Sequence, residues 1–155
     1  MRSSAVMESV TKILLCAAAS CVLALPFTHP FGDVKEQRSS VPLSGVDPLI
    51  EKACQNCHSD RTQWPAYSYL PLVSWAIEKD VAEGREHLNL SHWEDYSVDE
   101  KRDLLARMGT VVRSGQMPLP RYVLLHPEAR LSNKEIQAIY EWTKEQRRVL
   151  RDQGK

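Results

Sequence analysis

A C-x-x-C-H motif at residues 54–58 constrains the fold of this chain more than any other stretch. Two thiols three positions apart on one helical turn can form thioether bonds to the two vinyl groups of a haem. The histidine that follows then lies under the iron as its proximal ligand. The motif therefore predicts one covalently bound haem c, with Cys54 and Cys57 as the thioether residues and His58 as an iron ligand.

Two other chemistries use closely spaced cysteines. Half of a tetrahedral zinc site needs a second pair of ligands at similar spacing, and no cysteine follows Cys57. A thioredoxin-like redox pair requires a preceding strand in a βαβ unit, whereas the residues around Cys54 have the pattern of helix and turn. Both alternatives are therefore less favoured than covalent haem.

Length and charge limit the class of protein. The 155 residues suffice for one domain and a leader, and 20 basic residues balance 20 acidic ones. The summed charge gives no reason to expect nucleic acid as a partner. The only basic cluster, at residues 144–151, is interpreted as a solvated helix face. With both motif thiols bonded to haem, the domain keeps no cysteine for a disulfide, so loss of haem should leave a poorly folded chain.

The N-terminal residues resemble an export signal. Arg2 and Lys12 precede an apolar run over residues 13–25, which Pro26 interrupts. We expect an export signal or N-terminal membrane anchor over residues 1–26, a linker over residues 27–46 and the haem-binding domain over residues 47–155. The expected location is the periplasm. Because the apolar run continues past Cys21, an uncleaved anchor in the inner membrane is slightly favoured over cleavage.

Helical periodicity dominates the domain, and alternating apolar runs of strand type are absent from the sequence. The fold class is therefore expected to be all-α, a cytochrome-c-like bundle of about four helices around one haem. We expect four helices. The first begins at Asp47 and carries the haem motif in its last turn, and the second runs from Pro71 to about Glu83, with Gly84 as its stop. The third runs from the capping box of Ser97 and Glu100 to Gly115, and the fourth begins at the capping box of Ser132 and Glu135.

A methionine between two of these helices is the candidate for the second axial ligand. Met117 lies in the sequence Gly-Gln-Met-Pro-Leu-Pro, where prolines stiffen the loop, and a thioether suits iron in both oxidation states. Met108 falls within an apolar helical stripe and is expected to fill the core. His126 is the alternative ligand, His87 and His92 are further candidates, and an open sixth position is also compatible with the sequence.

The segment after the motif is rich in aromatic residues and prolines. Arg61, Trp64 and Tyr67 are candidates for contacts with the haem edge or its propionates. Ordinary loop packing explains the same composition equally well.

Together these motifs resemble the bacterial haem-binding domain family, whose members are exported proteins similar to small c-type cytochromes. The resemblance covers roughly residues 46–145. It implies a helical fold in which the first and last helices pack on each other, haem held by Cys54, Cys57 and His58, and Met117 as an iron ligand. It is carried by C-x-x-C-H-S at residues 54–59, Trp64-Pro65, Tyr67-Ser68, Pro71, Ser74-Trp75, Met117-Pro118, Tyr122, His126-Pro127 and Leu131-Ser132.

These features leave two main hypotheses for function. The first is a single-haem electron carrier or electron-transfer module, not an enzyme, whose redox partner proteins the sequence does not identify. The second is a five-coordinate haem enzyme or sensor, either peroxidase-like or gas-responsive. A peroxidase would need a distal base and a cation, such as His92 or His126 with Arg113 or Arg121. A structural or haem-storage protein is a third interpretation.

Overall fold

The computed structural model describes residues 2–24, 47–70 and 73–153, and no strand occurs in these ranges. The expected all-α fold is therefore confirmed. Seven α-helices lie in the described ranges: α1 (Arg2–Ala24), α2 (Asp47–Ala53), α3 (Gln55–His58), α4 (Val73–His87), α5 (Val98–Arg113), α6 (Pro120–Leu125) and α7 (Asn133–Gln153). Short 3-10 segments span Ala66–Tyr69, Leu90–Asp95 and Pro127–Ala129.

The chain divides into two compact units, and the division falls within α4. The first unit contains α1 and Trp64–Lys79. The second contains the described residues up to Gln63, which include the haem motif, and those from Asp80 onward. None of the helices in the described ranges is both long enough and apolar enough to span a membrane. The predicted linker over residues 27–46 lies outside the described residues.

The core of the second unit is formed chiefly by α5 and α7. Gly109 in α5 lets the two helices approach closely, because a Cβ at this position would lie 2.7 Å from Thr143 Oγ1 in α7. Met108 is 6% exposed, so the prediction that it fills the core is confirmed. The buried cluster consists of Ile50, Leu88, Leu90, Trp93, Leu105, Met108, Val112 and Ile139.

Both predicted capping boxes are present. Ser97 Oγ accepts a hydrogen bond from the Glu100 N–H, and the Glu100 carboxylate accepts one from the Ser97 N–H at 2.8 Å. Ser132 and Glu135 make the same reciprocal pair at the start of α7. These bonds satisfy N–H groups that have no partner within a helix, which is why the two helices begin where the sequence predicts.

The first and last helices of the domain meet, as the family resemblance implies. Lys52 Nζ of α2 donates a hydrogen bond of 2.6 Å to Glu135 Oε1 of α7, and Ile50 and Ile139 belong to the same buried cluster. Glu135 therefore caps α7 and pairs with α2 at the same time.

Two helix boundaries differ from the prediction, and one short helix is additional. The haem motif is not the last turn of the first helix: α2 ends at Ala53, and the motif forms the separate turn α3. Gly84 does not stop α4, which continues to His87; the glycine instead permits a close contact described below. The six-residue helix α6 was not predicted, since it is too short to show a periodic apolar pattern. The predicted start at Pro71 lies outside the described residues.

Candidate functional site

A cavity of about 630 Å³ lies in the second unit. Its walls come from the end of α2 with α3, from α4, from α5, and from the loop and first turn of α6. The lining is mainly apolar, with a few charged side chains, and a volume of this size is typical of cofactor sites. Cys54, Cys57, His58 and Met117 all line this one cavity. The sequence-predicted ligands therefore converge on a single space.

The haem motif folds as a tight turn. The Cys54 carbonyl accepts hydrogen bonds from the N–H groups of Cys57 at 3.2 Å and His58 at 2.9 Å. Cys54 and Cys57 form no disulfide with each other. This turn places the two sulfur-bearing residues and the imidazole of His58 on the wall of the cavity.

Burial keeps both motif thiols protonated. It raises the pKa of Cys54 to about 12, with a smaller contribution from the neighbouring Cys57, and it also raises the pKa of Cys57. Zinc binding and disulfide exchange both use the thiolate, which an electropositive site would favour. Within the described ranges, no group of three His, Cys, Asp or Glu side chains could hold a metal ion. The raised pKa of both thiols counts against the redox-pair alternative.

The His58 ring is oriented by a backbone carbonyl. Its Nδ1 lies 3.1 Å from the Leu88 oxygen, and a carbonyl can only accept, so Nδ1 carries the proton. The lone pair is then on Nε2, which is the arrangement that a metal-ligating histidine requires. Burial lowers the pKa of His58, which keeps the ring neutral at physiological pH. His58 is therefore prepared as a neutral nitrogen donor.

Gly84 brings α4 directly against the haem motif. A Cβ on this residue would lie 2.6 Å from the Cys57 carbonyl oxygen and 3.1 Å from the carbonyl carbon. These distances are too short for any side chain, so only glycine permits this packing. Gly84 thus supports the turn that carries the cysteines, a role that no local sequence signal reveals.

The Met117 loop is anchored to the end of α5. The N–H groups of Gln116 and Met117 both donate to the Val111 carbonyl, at 3.0 Å and 3.2 Å. The Met117-Pro118 peptide bond is cis. Met117 is half-buried and contributes to the lining, so its sulfur is a candidate ligand in the same cavity as His58.

Of the three alternative histidines, His87 lines the cavity, whereas His92 and His126 do not. Both ring nitrogens of His92 are engaged, Nε2 with Asp60 at 3.0 Å and Nδ1 with Asp95 at 2.9 Å. His126 Nδ1 lies 2.9 Å from Glu128, and its ring stacks on Tyr122. Neither residue lines the cavity, whereas the exposed His87 does.

Arg61, Trp64 and Tyr67 are the candidates for contacts with the haem edge. Arg61 does not line the cavity, and its buried Nε has no hydrogen-bond partner within the described residues. Trp64 and Tyr67 belong to the first unit, which is described by itself. Their suggested roles stay predictions.

Charged and polar side chains connect the walls of the cavity. Arg121 of α6 makes a two-point ion pair with Asp80 of α4, and both line the cavity. Asn56 of the motif donates to the Tyr122 hydroxyl at 2.8 Å. Arg113, the other candidate cation for a peroxidase, lies over the Tyr140 ring. No sequence motif marks Asp80 as part of the site, because its partner Arg121 is 41 residues away in the chain.

Comparison with known proteins adds two findings. Residues 29–145 match the model of a family described as Haem-binding domain. The chain is also 28% identical over 149 residues to cytochrome c peroxidase Ccp of Escherichia coli (strain K12), a match that covers 89% of this chain and 32% of that protein. The chain thus spans about a third of the length of this curated relative. No solved structure matches.

Proposed function

This chain belongs to the haem-binding domain family, whose model it matches over most of its length, and from that premise we propose that it binds one haem c covalently and transfers electrons. The observation that carries the proposal is the shared cavity of Cys54, Cys57 and His58, with the His58 Nδ1 proton bonded to Leu88. Two cysteines in one turn, a neutral imidazole and an apolar lining fit a haem and its two vinyl groups.

The residues divide the work of holding this group. Cys54 and Cys57 would form the thioethers, and His58 would supply a nitrogen ligand through Nε2. Met117 would supply a sulfur ligand, and its loop is held in place by the two hydrogen bonds to the Val111 carbonyl. The bound haem iron supplies one-electron chemistry, and a histidine–methionine pair raises its potential. The apolar walls exclude water and lower the local dielectric.

The sixth ligand can be tested with Met117→Leu, which removes the sulfur but keeps the volume of the side chain. The attached pigment should be retained, the reduction potential should fall, and the reduced variant should bind carbon monoxide. The wild-type protein should bind carbon monoxide poorly. If Met108→Leu opens the iron instead, or if the wild type binds carbon monoxide readily, the assignment of Met117 is wrong.

A peroxidase-like or gas-responsive haem protein is the second candidate. It is favoured by the name of the Escherichia coli relative, although this chain corresponds to only about a third of that protein. Against it, His92 and His126 do not line the cavity, and Arg121 is already paired with Asp80. A steady-state assay of peroxide consumption by the purified holoprotein separates the two functions, because an electron carrier should show no sustained turnover.

We also infer export to the periplasm and exchange of electrons with partner proteins there. The basic residues followed by an apolar run at the N-terminus support export, with either cleavage or retention as an inner-membrane anchor. Cell fractionation of the full chain and of a chain without residues 1–26 tests this. Pigmented protein in the cytoplasm for the full chain would contradict it.

A further inference from the structure

The peptide group between Leu88 and Asn89 is fixed at both of its polar ends. Its carbonyl oxygen, on Leu88, accepts the Nδ1 proton of His58 at 3.1 Å. Its N–H, on Asn89, donates to the Tyr96 hydroxyl at 2.9 Å. His58, one peptide plane and Tyr96 therefore form a continuous chain of two hydrogen bonds.

The surroundings hold this peptide in place. The Asn89 side chain accepts from the Ser91 N–H at 3.0 Å and donates to Asp60 Oδ1 at 2.9 Å. The Tyr96 ring packs edge-on against the buried Trp93, with ring centroids 6.1 Å apart. The Leu88 side chain is itself buried. These contacts hold the peptide plane in one orientation. Among the residues named here, only Tyr96 accepts a hydrogen bond from the peptide N–H, through its hydroxyl.

We propose that Tyr96 is a positioning residue for the iron ligand His58, acting through this peptide. The inference rests on the proposed function, in which His58 ligates the haem iron. When a peptide N–H is hydrogen-bonded, its carbonyl becomes a better acceptor, because hydrogen bonds in a chain polarise one another. A better acceptor draws the Nδ1 proton and makes the imidazole a stronger electron donor at Nε2. A stronger donor favours oxidised iron, so Tyr96 lowers the reduction potential.

Tyr96→Phe tests this with the loss of a single oxygen atom. The ring and its contact with Trp93 are kept, while the Asn89 N–H loses its partner. We expect the ratio of reduced to oxidised protein at a fixed applied potential to rise about two- to fivefold, in line with the weakening of one cooperative hydrogen bond. The His58 Nδ1 proton should exchange with solvent faster in the reduced protein, as followed by NMR.

Tyr140→Phe is the matched control. Tyr140 lies in α7, and its ring contacts Arg113 and Lys144 and not the Leu88–Asn89 peptide. Its substitution should leave the potential and the His58 proton unchanged.

The outcomes separate this inference from the proposed function. A Tyr96→Phe variant with attached haem, an unchanged potential and an unchanged His58 proton signal would overturn the role of Tyr96 alone, even if its thermal stability fell. A wild-type protein without attached haem would overturn the proposed function, and the role of Tyr96 with it.

Discussion

Replacing Gly84 with alanine should disturb the haem motif more than an alanine in a helix normally does. The new Cβ would lie 2.6 Å from the Cys57 carbonyl oxygen, and an ordinary contact needs 3.4 Å or more. Either α4 or the motif turn must therefore move by about 0.8 Å. Because the atom in the way belongs to the backbone, no rotation of a side chain can relieve the contact.

The expected magnitude is a balance of two effects. Overpacking of this kind costs about 1–3 kcal/mol. Alanine in place of glycine stabilises a helix by about 1 kcal/mol. The free energy of unfolding should therefore fall by up to about 2 kcal/mol, which lowers Tm by about 2–4 °C for each kcal/mol in a chain of this size. The fraction of chains with attached haem should fall as well, since the shift acts on Cys57.

The assay combines thermal unfolding by circular dichroism with the ratio of haem to protein in the purified sample. Glu86→Ala, an exposed position in the same helix, should change stability by less than about 0.5 kcal/mol. Gly109→Ala gives a second comparison, because its Cβ would meet the Thr143 hydroxyl at 2.7 Å, and Thr143→Ala should relieve that contact. A Gly84→Ala protein more stable than the wild type by about 1 kcal/mol, as helix propensity alone predicts, and with full haem content would refute the reasoning.

Two further predictions concern α7. The pKa of Glu135 is lowered from 4.5 to about 2, and the hydrogen bond from Lys52 is the largest cause. The ionised carboxylate therefore stabilises the fold above pH 4.5, and this stabilisation is lost as the pH falls through about 2. Glu135→Gln should therefore be less stable than the wild type at neutral pH, with a difference that disappears by about pH 2 in chemical denaturation, while Glu141→Gln should show little effect. Ile139→Ala, at a fully buried position, should lower the free energy of unfolding by about 2–5 kcal/mol in the same measurement, and a loss below about 1 kcal/mol would contradict its place in the core.

Local chemistry explains which parts of the fold were predictable. Ser97 with Glu100 and Ser132 with Glu135 are neighbours three residues apart, so the starts of α5 and α7 are encoded within single turns. The sequence favours Gly84 as a helix stop because nothing near it shows its contact with Cys57, 27 positions earlier in the chain. A glycine that permits close approach and one that ends a helix are identical in sequence.

In the candidate site, too, features encoded by neighbouring residues were predictable and contacts between distant residues were not. The haem motif was recognisable because its three chemical groups are adjacent in sequence. The acceptor for His58 is the backbone of Leu88, and every residue type offers a carbonyl there, so no sequence signal exists. The engagement of His92 also depends on a distant residue, Asp60, which lies 32 positions away. Periodicity and motifs do not report such pairings.

The most direct test of the central claim is the intact mass of the purified protein after extraction with acidified organic solvent. We expect the protein to keep its colour and to carry the added mass of one haem, and we expect Cys54→Ser with Cys57→Ser to lose both. A wild-type chain that releases all its pigment into the solvent and has the mass of the bare polypeptide would contradict covalent attachment through Cys54 and Cys57.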